Sequence, residues 1–152
     1  MKTIVAKQYQ NKVKQIESRF EGISMPREGW IRTTRKALHM SGAQLARRLG
    51  VSRALISNTE KAELTGGVSL KKMQAMAQAM NCRLVYAIVP NDGIDATLKS
   101  QALKKAQARV KTASVHMALE DQALDKYQLE HEVERLTQEE LSKHTSELWN
   151  DG

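Results

Sequence analysis

The sequence predicts a mainly helical protein carrying one short strand. Three observations lead to that class. Apolar residues recur at three- and four-residue steps through most of the chain, which is the period of a helix with one buried face. The 152 residues include only one Phe, two Trp and three Tyr, so the core must be built from Leu, Ile, Val, Met and Ala, a set that suits helices better than packed sheets. One segment alone, CRLVYAIV at 82–89, breaks the helical period with a run of β-branched and aromatic residues that stops at Pro90.

Taken in order, residues 2–21 form a first helix, with Tyr9, Val13, Ile16 and Phe20 on one face and Gly22 ending it. A second helix is expected from Pro26 or Arg27 to His39, with Pro26 in its first turn and Trp30, Ile31, Thr34 and Leu38 facing inward. Ser41 opens a third helix through a capping box completed by Gln44, and Gly50 closes it. Ser52 caps a fourth, from Arg53 to Ala62, and TGG at 65–67 is a loop. Ser69 caps a fifth, whose Leu70, Met73, Ala77 and Met80 form a core stripe and whose Asn81 is a left-handed stop. After the strand and an NDG turn at 91–93, helices are expected over 95–113 and 116–136. The stretch TQEE at 137–140 reads as another capping box, opening a last short helix with Leu141, Leu148 and Trp149. The domains expected are an N-terminal helix at 1–25, a five-helix domain at 26–81, the strand at 82–90 and a C-terminal helical arm at 91–152.

The charge is unevenly placed. Residues 1–115 carry 21 Lys and Arg against 7 Asp and Glu, and residues 116–152 carry 3 against 10, so a body of +14 is followed by a tail of −7. A basic body favours a polyanion, nucleic acid being the commonest; the alternative is that both runs are solvated helix faces. Cys82 is the single cysteine, which rules out an intramolecular disulfide framework and a multi-cysteine metal site. The sequence has no apolar run of the ~18 residues a membrane-spanning helix needs and no apolar stretch at its amino terminus, and the expectation is a cytoplasmic protein with no membrane partner.

Residues 41–62, SGAQLARRLGVSRALISNTEKA, hold the most specific signal. Ala43, Leu45, Ala46 and Leu49 share one face of the first short helix, Gly50 permits a sharp turn, Val51 packs beneath it, and Ile56 and Thr59 seat the second helix. Two helices joined in this way cross steeply, which leaves the outer face of the second able to lie in a major groove. The side chains there are Arg53, Ala54, Ser57 and Asn58. Arg can bond guanine bidentately, Asn can do the same to adenine, and Ala can touch a thymine methyl. The pattern Q-L-A-x-x-L-G-V-S-x-x-x-I-S-x-x-E, Gln44 to Glu60, resembles the helix-turn-helix of the phage-repressor-like (Cro/C1, XRE) family over residues 28–81. That resemblance implies a repressor-like five-helix domain. It implies DNA-facing positions at Gln44 and from Ser52 to Asn58, with Glu60 supporting the fold. Arg47 and Lys61 are added as cations placed to grip phosphates. A helix-turn-helix used only for protein contacts is the alternative.

GWIRTTRKALHMSGAQLARRLGVSRALIS, CRLVYAIVP and MALEDQ together resemble the mobile mystery protein A family across nearly the whole chain. Members are usually encoded beside a Fic-domain protein, so the resemblance implies an antitoxin-like partner of such a protein. In that resemblance a glycine is expected after KAL, where this chain has His39; a cation at a helix end is the plainer reading of the histidine. Ser24 to Gly29, SMPREG, also matches the S-x-x-x-E-G inhibitory motif of Fic regulators, in which the Glu sits on a helix. Ser24, Glu28 and Gly29 are therefore candidate inhibitory residues, although Pro26 interrupts the stretch and Trp30 is expected to bury it.

Catalysis finds little support. The four histidines have no ligand spacing, and there is no phosphate-binding glycine loop or nucleophile elbow, so no enzyme activity, cofactor or metal is expected. Cys82 reads as a small core residue. The expectation is a DNA-binding repressor that acts as a homodimer on a palindromic operator and engages a Fic-domain protein. The rival is an antitoxin that silences a Fic enzyme and binds little DNA. RNA binding ranks third, for want of stacking aromatics. The dimer would form by self-pairing of the strand, Leu84, Val85, Tyr86, Ala87 and Ile88, since a lone strand leaves backbone groups unpaired. The acidic arm from His116 is expected either to dock in cis, with Glu130, Glu132 and Glu134 facing Lys7, Lys12, Lys14 and Arg19, or to bind the partner protein.

Overall fold

The computed structural model describes residues 2–119 and 124–150, which divide into two compact units: residues 22–87 form one, and residues 2–21 with 88–119 and 124–150 form the other. Seven α-helices and a short 3-10 helix occur among the described residues, and none of the helices is long and apolar enough to cross a membrane.

The first unit holds α2 (Trp30–Ala37), α3 (Gly42–Leu49), α4 (Arg53–Leu64) and α5 (Leu70–Ala79). α2 and α3 have eight residues each, too few to persist alone in water, so packing must hold them. The core is Ile31, Leu45, Ala46, Ile56, Met76 and Met80, with Met40, Leu49, Val51 and Met73 packed against it. Burying each of the larger side chains stabilises the unit by about 1.5–3 kcal/mol. α3 opens with the expected capping box: the Gln44 amide donates to the Ser41 hydroxyl at 3.1 Å, and the Ser41 amide donates to the Gln44 side chain at 2.8 Å. Gly50 then takes the left-handed conformation, with φ 68°, and turns the chain into α4, which Ser52 caps through the Leu55 amide at 3.1 Å. Asn81 closes the end of α5 with φ 58°, as its position suggests.

Several expectations fail here: Leu70, expected on the core stripe of α5, is exposed, as is Cys82, read as a core residue. α2 begins only at Trp30, because Pro26 to Gly29 is a turn closed by the Gly29 amide on the Pro26 carbonyl at 2.9 Å. Trp30 is 45 % exposed and Leu38 is also exposed, so neither faces inward as expected, and Ser24, Met25, Arg27 and Glu28 stay exposed rather than covered by Trp30. In addition, residues 82–89 form no strand. No other segment among the described residues offers them a ladder, and β-propensity without a pairing edge does not make a sheet. Val85, Tyr86 and Ile88 are left exposed, Ile88 at 92 %.

The second unit holds α1 (Lys2–Phe20), α6 (Ile94–Leu119), α7 (Lys126–Lys143) and the 3-10 helix Ser146–Trp149. α6 and α7 pack antiparallel: Gln101 donates to the Leu148 carbonyl, while eight residues on Arg109 meets Glu140. Ala102 and Ala106 are fully buried on α6, and Val110 with Ala106 meets Leu136, Leu129 and Val133 of α7. α1 meets the start of α6, where Glu17 accepts from the Ile94 amide at 2.9 Å and Lys14 pairs with Asp95 at 2.9 Å.

The expected boundaries shift in this unit as well. α6 runs on to Leu119, α7 starts after an Asp125 and Gln128 capping box, and residues 120–123 of the expected 116–136 helix, with part of the MALEDQ segment, lie outside the described residues. Thr137 opens nothing. It sits inside α7, buried, donating to the Val133 carbonyl at 2.7 Å, because Leu136 and Glu140 continue the face that packs on α6. The arm does not lay Glu130, Glu132 and Glu134 against the α1 cations. α7 takes α6 as its neighbour, Glu132 pairs with Arg135, and Lys14 pairs with Asp95 instead.

Candidate nucleic-acid interface

α4 is a two-faced helix. Ile56, Thr59, Glu60 and Glu63 are buried, and Arg53, Ala54, Ser57, Asn58 and Lys61 are exposed along the opposite side. The spacing of those five, at steps of one, three, one and three, is one helical stripe. Ile56 packs into the core, and the three polar inward residues each make a fixing bond. Thr59 donates to the Leu55 carbonyl at 2.7 Å. Glu60 grips Arg35 of α2 bidentately, at 2.7 and 3.1 Å, in a pair that is nearly buried, and Arg35 also reaches the Met40 carbonyl at 3.0 Å. The Glu60 hydrogen bond holds the Arg35 guanidinium charged to still higher pH than usual. Glu63 accepts from the backbone amides of Trp30 and Ile31, at 2.7 and 2.9 Å, and so caps α2 from another helix. α4 is thus clamped to α2 at both of its last two turns, which sets the direction of its exposed stripe.

The other residues singled out from the sequence sit around this stripe. Gln44 and Arg47 on α3 are exposed and border a shallow hollow with His39 and Arg48. The Gln44 oxygen is committed to its capping box, which leaves its amide nitrogen free to donate outward. Ser52 likewise spends its oxygen on capping α4. Sequence reasoning passed over Arg27 and Arg32. They border a hollow of about 420 Å³ between the turn before α2 and α4, shared with Ser57 and Lys61, and no spacing rule would have linked them to α4.

Ser24, Glu28 and Gly29 lie in the segment before α2, not on a helix. The Glu28 carboxylate is held by Lys36 at 3.1 Å, with Arg32 at 4.0 Å, and the Lys36 hydrogen bond lowers its pKa. Gly29 takes φ 83°, and an added Cβ would stand 3.0 Å from the Glu63 carboxylate, so both the backbone and the space demand glycine there.

The electrostatics follow the units more closely than they follow the sequence halves. Residues 22–87 carry 11 Lys and Arg against 3 Asp and Glu, a balance of +8; the rest of the chain carries 13 against 14, a balance of −1. The three acids of the basic unit are Glu28, Glu60 and Glu63, each already matched to a cation or to a helix N-terminus. None stands on the exposed stripe of α4 itself; Glu28, which shares the hollow with Ser57 and Lys61, is held by Lys36 at 3.1 Å.

Residues 31–86 match a helix-turn-helix family model, a span that takes in α2 to α5 and runs on to Tyr86. The match supports a Cro/C1-like, XRE-type DNA-binding regulator. No curated protein matches the chain, and no solved structure does.

Proposed function

We propose that this protein is a sequence-specific transcriptional repressor that binds a palindromic operator as a homodimer. The observation that carries the reading is the exposed stripe of α4, polar and cationic, on a unit of +8 whose three acids are all engaged elsewhere. In this reading Arg53 and Asn58 read base edges, Ala54 and Ser57 line the groove floor, and Gln44, Arg47, Ser52 and Lys61 grip the flanking phosphates. Arg27 and Arg32 join that grip. Dimerisation uses residues 84–88, whose backbone joins no ladder within the described chain and can form one only with another chain. Half-sites would then lie about one helical turn apart.

Gel shift on the DNA upstream of the protein's own gene tests the reading. Arg53→Ala and Asn58→Ala should each weaken specific binding by about 1–3 kcal/mol per half-site and relax sequence preference, whereas Lys61→Ala should weaken all sequences alike. Equal loss on specific and random DNA for Arg53→Ala would move that residue from base reading to phosphate contact. Leu84→Pro removes a backbone donor and should yield monomers in the ultracentrifuge. A wild-type monomer at micromolar concentration that still binds DNA would refute the self-pairing.

The resemblance to proteins encoded beside Fic-domain proteins adds an antitoxin role, in which a Fic-domain protein is the second partner. Its support is sequence resemblance, together with the S-x-x-x-E-G pattern of Ser24, Glu28 and Gly29. Co-purification of the two proteins tests it, and Glu28→Gln separates the two uses of the carboxylate: capture and inhibition that survive the substitution leave Glu28 as the partner of Lys36 alone.

A further inference from the structure

The second unit contains a groove that the helix-turn-helix does not use. It runs along one face of α6 toward the C-terminal 3-10 helix, with a volume of about 590 Å³, in the range of small-molecule sites. Lys104, Lys105 and Arg109 supply its charged groups, His116 and Asn150 border it, and Ala108 and the Thr112 methyl give it an apolar floor that the lysine stems extend. Glu140 explains how those cations are held. Its carboxylate is buried and meets Arg109 at 3.0 Å, Lys143 at 3.2 Å and Lys105 at 3.4 Å. Lys105 also donates to the Glu147 carbonyl at 2.5 Å. The lining itself includes three cations, Lys104, Lys105 and Arg109, and no acidic side chain.

We propose that this groove binds a small organic anion, a carboxylate or phosphate on an apolar body. A polyanion such as DNA is disfavoured, because the unit as a whole stands at −1 while the groove is locally positive. The anion head would sit between Lys105 and Arg109, which Glu140 pre-orients from behind, and the apolar body would lie along Ala108 and Thr112. Such a site gives the regulator an input separate from its DNA-reading helix.

The test uses the full chain and anilinonaphthalene sulfonate, a fluorescent anion with an apolar body. Binding should saturate at one site per chain, weaken with salt, and be displaced by octanoate but not by octanol. Ala108→Glu places a like charge on the floor at an exposed helix position, and the dissociation constant should rise about tenfold or more. Thr112→Glu, one turn further along, should do the same, and Lys71→Glu on α5 should leave binding unchanged. Helical circular dichroism and melting checked on each variant separate loss of the site from loss of the fold. Absence of saturable binding, displacement by octanol as readily as by octanoate, or unchanged affinity in both folded groove variants would overturn the proposal.

Discussion

Glu63→Ala is the perturbation that most directly tests how the basic unit is held together. The Glu63 carboxylate accepts two backbone N–H groups, from Trp30 at 2.7 Å and Ile31 at 2.9 Å, and it is itself buried. A hydrogen bond to a charged group contributes about 1.5–3 kcal/mol. The Ile31 amide is buried and would be left without a partner, whereas the Trp30 amide is near enough to the surface to find water. Weighing the two gives an expected loss of about 2–4 kcal/mol, a large share of a domain's usual 5–15 kcal/mol. The two tryptophans fall in different units, so Trp149→Phe leaves Trp30 as the only indole reporter, on the unit concerned. Urea unfolding followed by that fluorescence should show the midpoint fall at unchanged slope. Glu63→Gln keeps one acceptor oxygen and should lose about half as much. Gly29→Ala should also destabilise, through its φ of 83° and the 3.0 Å approach to Glu63. Combined with Glu63→Ala it should cost less than the sum, because the clash partner has gone. A loss below about 1 kcal/mol for Glu63→Ala would refute the cap as an energetic tie, leaving burial alone to hold α2.

Three further outcomes are expected. Burial raises the Glu140 pKa, but the Lys143 hydrogen bond and the charges of Lys105 and Lys143 outweigh it, so the folded value lies below 4.5. The stabilisation this gives the α6–α7 pair is therefore complete above the unfolded pKa and fades as pH falls through the lowered folded value; Glu140→Gln should flatten that part of the acid-unfolding curve by circular dichroism. His39 closes α2 with φ 56°, a conformation that costs a non-glycine residue about 1–2 kcal/mol, and glycine returns part of the gain to the unfolded chain; His39→Gly should raise stability by up to about 1 kcal/mol by urea titration, and a loss would mean the side chain makes contacts worth more than the strain. DNA affinity should fall steeply with salt, since each neutralised phosphate contributes about −0.9 to the logarithmic slope; a slope steeper than about −4 is expected from filter binding, and a flat response would remove the electrostatic basis of the interface.

What the sequence by itself determined was what depends on neighbours three or four residues away. The Ser41, Ser52 and Ser69 caps, the left-handed Gly50 and Asn81, and the two-faced α4 with Arg53, Ser57 and Asn58 outward were legible for that reason. Local bonds of this kind close within one turn, and the residue types that make them are few. Tertiary structure decided whatever needed a partner distant in sequence. Glu63 looks like an ordinary surface acid and instead caps α2 from 32 residues away; Glu17 does the same for α6 across 77. Thr137 had the pattern of a helix start and was overruled because its neighbours fill the α6 interface. The 82–89 segment has strand-forming residues and no edge to pair with, since a strand is a property of two segments and not of one. The charge map changed for the same reason: folding groups α1 and α6 with the acidic α7, offsetting the basic residues of α1 and α6 and leaving the net positive charge on the helix-turn-helix unit.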